Sequence, residues 1–160
     1  MIDQICMNSV LLASAREVFE TMIFMDLDQC FDPQQQIKED ALLSSITFKG
    51  DLSGCLTICC SSDCAKSMGI NMLGMDPEEK ISQADTYDAL GEVTNMIMGS
   101  VKTRIQQNTG NINVSIPMVM SGREIVTNLG EGSATKTFVK VTINSEYVAE
   151  FCLLYKDNSL

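Results

Sequence analysis

A chain of 160 residues, 45% hydrophobic and 20% charged, suits one globular domain spanning 1–160 and can bury a core without disulfide or metal staples. A net charge of −10 and a pI of about 4.3 argue against the clustered basic surface that nucleic acid or an anionic membrane requires. The absence of histidine removes Ser-His, Cys-His and His-based metal catalysis together.

Residues 8–26 place Val10, Leu11, Ala13, Val18, Met22 and Ile23 at helical spacing and predict a helix. No basic segment precedes that apolar run, and Asn8 and the acidic residues cut it short, so neither a signal peptide nor a membrane span is expected. Residues 27–41 are polar, contain Pro33 and read as a connection. LLSSITFKG and LSGCLTICC, within 42–60, read as two strands joined by a hairpin turn at Lys49-Gly50-Asp51.

Residues 61–73 look helical, and Asp76-Pro77 predicts one further short helical turn. Ser82 followed by Asp85 resembles a capping box and opens a long helix over about 83–107, which Asn108-Thr109-Gly110 ends. The last third is β-rich. INVSIPMVMSG (112–122) predicts a strand that Pro117 confines to an edge or a bulge. TKTFVKVTI (135–143) and YVAEFCLLY (147–155) predict a hairpin about Asn144-Ser145-Glu146, and 128–134 is the expected flexible loop. The pattern is α+β, with long helices on one face of a largely antiparallel sheet.

The seven cysteines are an odd set without a secretory context, which implies reduced thiols and a cytoplasmic protein. Cys55, Cys59, Cys60 and Cys64 straddle the end of a strand and the start of a helix. Without histidine they read as small buried hydrophobes rather than a zinc site, and no bound metal is expected.

The long helix carries GEVTNMIMG (91–99). Each glycine costs roughly 1 kcal/mol relative to alanine in a helix interior. On a wheel of ~100° per residue, Leu90, Val93, Ile97 and Val101 face the core. Asp88, Glu92, Gly99 and Lys102 fall beside Asn95 on one side, and Gly91 and Met98 flank it on the other. Glu92 and Asn95 are neighbours on the outer face, and the glycines would let another molecule approach them closely. A plain solvated face, with Gly99 as a packing residue and Lys102 balancing acidic neighbours, is the competing account. A weak internal repeat aligns Glu17 and Val18 with Glu92 and Val93. It places Glu20 opposite Asn95, and bulky Arg16 and Phe24 opposite the glycines.

Asp88-x-x-x-Glu92-x-x-Asn95 resembles the motif of the CheX/CheC/FliY family of bacterial chemotaxis phosphatases. The likeness to the CheX branch extends to VFETM (18–22), GDLSG (50–54), DALGEVTNMIMGSVK (88–102) and VMSGRE (119–124). It implies a CheC/CheX-like α+β fold whose first repeat is degenerate, and hydrolysis of the aspartyl phosphate of a phosphorylated CheY-like response regulator. An acyl phosphate is already activated, so an aligned water is what the reaction lacks. The resemblance gives that role to Asn95, comparable with the water-positioning Gln of GTPases. It gives Glu92 a contact with the regulator's active-site lysine. Asp88, Gly91, Met98, Gly99 and Lys102 are the accompanying partner-facing positions. The phosphatase would need no cofactor of its own, because Mg²⁺ would arrive with the regulator. A homodimer joined through sheet edges is implied as well. The rival reading is a catalytically silent module on the same fold that holds a response regulator or a flagellar-switch component.

Overall fold

Apolar residues that recur at two periods, helical in some segments and alternating in others, build two layers. The computed structural model describes residues 6–122 and 134–158. In chain order these comprise α1 (Met7–Val18) with a π-helical turn (Phe19–Ile23), β1 (Leu27–Gln29), β2 (Ala41–Gly50), β3 (Leu52–Ser61), α2 (Ser62–Leu73), α3 (Gln83–Thr109), β4 (Ile112–Val114), β5 (Met118–Ser121), β6 (Thr135–Ile143) and β7 (Tyr147–Asp157). The strands form one sheet in the order β1-β6-β7-β3-β2-β4, with β5 also on β2, and these pairings are all antiparallel.

Both expected hairpins form. At the first, Gly50 has φ +149°, and the Asn111 carbonyl oxygen occupies the space a Cβ would take. At the second, Asn144 and Ser145 both have left-handed φ, as primed hairpin turns require. Asn144 Oδ1 accepts from the Asp26 amide at 2.8 Å, and the Asn144 amide donates back to the Asp26 carbonyl at 2.8 Å. This exchange ties the β6–β7 turn to the segment leaving the first helix.

Alternation along the strands sends Ile46, Phe48, Leu56, Ile58, Val139, Val141, Phe151 and Leu153 into one buried cluster. There they meet Leu11 and Phe19 of the first helix, Met68 of α2, and Leu90, Val93, Ile97, Val101 and Ile105 of α3. Phe19 packs edge-on to Phe151 with ring centroids 6.5 Å apart. On the opposite sheet face a smaller cluster of Leu43, Cys59 and Val148 lies beneath Ile37 of the connection. Lys140 holds that connection down, its Nζ donating to the carbonyls of Asp32 at 2.6 Å and Gln35 at 2.9 Å.

Four expectations are revised. The first helix does not run evenly through 8–26, because it widens to a π turn and ends at Phe24, whose φ is +59°. The 27–41 connection contains β1, paired with β6; three residues are too few to show a strand period. Asp76-Pro77 makes a turn rather than a helix, with the Glu79 amide on the Asp76 carbonyl at 2.9 Å. Pro117 interrupts the expected 112–122 strand, leaving β4 and β5 as two short edge strands on the same neighbour, β2. The expected loop 128–134 lies outside the described residues except for Ala134.

Candidate functional site on helix α3

Ser82 caps α3, its Oγ accepting from the Asp85 amide at 3.0 Å. The core side of the helix is as the wheel places it, with Leu90, Val93, Ile97, Val101 and Ile105 wholly buried. One residue before Asn95, Thr94 is buried too. Its Oγ1 hydrogen-bonds Ser44 Oγ of β2 at 2.6 Å and the Leu90 carbonyl oxygen at 2.8 Å. With Val93 and Thr94 both turned inward, Glu92 and Asn95 must project outward, and both are exposed. Asp88 and Gly99 are exposed on the same stripe, and Lys102 is half-buried beside them. No side chain stands within 4 Å of the position a Gly99 Cβ would occupy.

Two expected positions do not belong to this stripe. Met98 is fully buried in the core cluster, so it is not available to a partner. Gly91 is buried, and a Cβ there would lie 3.5 Å from Pro117 Cγ and 3.6 Å from Val119 Cγ2. The β4–β5 corner leans against this flank of α3 and widens its buried arc. Thus the two glycines differ: Gly99 leaves the surface open, whereas Gly91 seats the corner containing Pro117.

Grooves run along both flanks of the stripe. One, of about 510 Å³, has Tyr87, Asp88, Gly91 and Glu92 on its helix wall and Ile116, Pro117 and Val119 opposite. The other, of about 450 Å³, separates Met96 and Gly99 from Thr21 and Met22 of the first helix. Across its far end Glu17 bridges the helices, its Oε2 accepting from Arg104 Nη2 at 2.5 Å and Ser100 Oγ at 3.1 Å. The repeat-related acid of the first helix is therefore committed to holding α1 against α3. The wall Ile116–Val119 is the part of the surroundings that sequence reasoning missed. Its one signal was Pro117 inside a strand-like run.

Cys55, Cys59, Cys60 and Cys64 are buried thiols; the last three lie at the β3–α2 junction, and Cys55 lies further back along β3. The hydrogen bond with Cys64, and then burial, push the Cys60 thiol well above its usual range. Among the described residues no three Cys, Asp or Glu side chains converge in a way that could hold a metal, and no helix is long and apolar enough to cross a membrane.

The family model of the chemotaxis phosphatase CheX matches residues 42–140, more than half of the chain and the whole of α3. The chain belongs to the CheX family. No curated protein gives a significant match. Among solved structures, CheX from Vibrio vulnificus is 23% identical, with a TM-score of 0.71 over 92% of this chain and 95% of that one. The CheX–CheY–BeF₃–Mg²⁺ complex from Borrelia burgdorferi is 13% identical, with a TM-score of 0.67 over 92% and 96%. The FliM middle domain of H. pylori is 12% identical, with a TM-score of 0.61 over 93% and 88%. At these identities the likeness is one of fold, and it spans nearly all of each chain.

Proposed function

We propose that the protein hydrolyses the aspartyl phosphate of a CheY-like response regulator and that Asn95 orients the attacking water. The observation that carries this reading is the exposed Glu92–Asn95 pair on a helix anchored from behind, with open surface at Gly99. A carboxamide offers both a donor and an acceptor, so it can hold a water at a fixed angle to a phosphoryl group. Positioning of this kind lowers the barrier without a base in the protein. Glu92 anchors the register by pairing with the regulator's active-site lysine, and Asp88, Gly99 and Lys102 complete the docking face. Mg²⁺ belongs to the regulator's phosphorylation site, and the phosphatase brings no cofactor. Homodimers form through the sheet edges.

The FliM-like fold favours a second reading, a silent module that binds a regulator or switch component. Mixing the protein with phosphorylated CheY-like regulators and following phosphate release separates the two. Accelerated release that Asn95→Ala abolishes supports catalysis, whereas binding without acceleration supports the silent module.

A further inference from the structure

Ile116 is 89% exposed, yet it is not at a loose loop tip. On one side of it, Ser115 is doubly tied to β2: its amide donates to the Thr47 carbonyl at 2.9 Å, and its Oγ accepts from the Thr47 amide at 3.0 Å. On the other side, Pro117 has a fixed φ and rests against Gly91 of α3. A β-branched apolar side chain is thus presented to solvent from a corner braced on both sides, where it contributes nothing to the core. Ile116 forms one wall of the groove whose other wall ends in Asp88 and Glu92. The groove is apolar on one side, with Ile116, Pro117 and Val119, and acidic on the helix side. It opens directly onto Glu92, so a molecule docked on Glu92 and Asn95 covers it.

We propose that this groove receives an apolar side chain of the docked response regulator, flanked by a cationic one, and that Ile116 is a specificity-determining residue for the regulator. The proposal rests on the reading of α3 as the docking face. Apolar contact with Ile116 favours the matching side chain, and Asp88 beside it disfavours a regulator that brings a carboxylate to the same place. This arrangement also gives an acidic protein a local means of selecting among regulators whose active sites are themselves acidic.

The test uses full-length protein and a CheY-like regulator activated with beryllofluoride and Mg²⁺ for binding, or phosphorylated for turnover. Ile116→Ser should raise Kd and KM about tenfold, the scale expected for uncovering an aliphatic side chain, with kcat within about twofold of wild type. Phe31→Ser, which removes an exposed ring outside the groove, should change neither. Unchanged Kd and KM in Ile116→Ser would overturn the proposal, as would an equal loss in Phe31→Ser. If wild type binds activated regulator without hydrolysing it, the catalytic reading fails and the Kd comparison alone decides the role of Ile116. If wild type binds no activated regulator, both readings fall.

Discussion

Thr94 of α3 and Ser44 of β2 share a hydrogen bond 2.6 Å long inside the core, and both residues are wholly buried. The bond fixes the rotation of α3 one residue before Asn95, so a packing contact and the aim of the exposed carboxamide are linked. Thr94→Val keeps the volume and removes the hydroxyl, leaving Ser44 without this partner. A loss of about 1–3 kcal/mol is expected, or roughly 2–4 °C of Tm per kcal/mol for a chain of this size. Thermal and urea denaturation measure it. An unchanged Tm would show that the pair does not hold the helix.

Asn95→Ala and Glu92→Ala should separate catalysis from docking. Asn95 is exposed, so its loss should leave Tm unchanged. It should lower turnover of a phosphorylated regulator about 100-fold, comparable with deleting one positioned hydrogen-bonding group elsewhere. Affinity for the beryllofluoride-activated regulator should stay within about twofold. On the proposed pairing with the regulator's lysine, Glu92→Ala should weaken that affinity tenfold or more, by leaving that lysine unpaired in a contact that excludes water. Titration and single-turnover phosphate release on the same preparations decide both.

The two glycines of α3 should respond oppositely to the same substitution. Gly99→Leu meets open space and gains helix propensity, so stability should hold or rise by up to about 1 kcal/mol. Bulk beside Asn95 should nevertheless cut both regulator binding and turnover. Gly91→Leu has room for a Cβ but pushes its further atoms into Pro117 and Val119, with an expected loss of about 1–3 kcal/mol. Melting curves for the pair test this contrast directly.

Thiol reactivity should follow position. Ser9 Oγ hydrogen-bonds the exposed Cys6 sulfur at 3.3 Å and draws its thiol below the usual value. Burial raises the Cys152 thiol, and the Cys64 hydrogen bond together with burial raises Cys60 further. Because the thiolate is the reactive species, iodoacetamide at neutral pH should label Cys6 before Cys152. It should reach Cys55, Cys59, Cys60 and Cys64 on unfolding. Peptide mass spectrometry over a time course reads the order, and early labelling of Cys60 would contradict the buried placement.

Light scattering at tens of micromolar should return the mass of a dimer. A monomer across that range would remove sheet-edge pairing from the account.

The sequence by itself determined where the three α-helices lie, though not the π turn that closes the first, together with the two hairpins, the Ser82 cap and the outward direction of Glu92, Asn95 and Gly99. Each follows from local chemistry: a hydrophobic period, a turn residue able to take left-handed φ, or a hydroxyl three residues before an unpaired amide. The tertiary structure decided how much of α3 is covered. A helical wheel orders side chains by angle but says nothing about the width of the buried arc, which depends on the elements that lean against it. Here the corner around Pro117 reaches over the flank of α3, burying Gly91 beneath Pro117 and Val119 while Met98 on the same flank joins the core. The same contact creates the Ile116 groove, whose two walls lie far apart in sequence and share no local pattern. β1 was decided the same way: three residues carry no readable period, and Leu27 becomes a strand residue because Ile143 of β6 lies across from it.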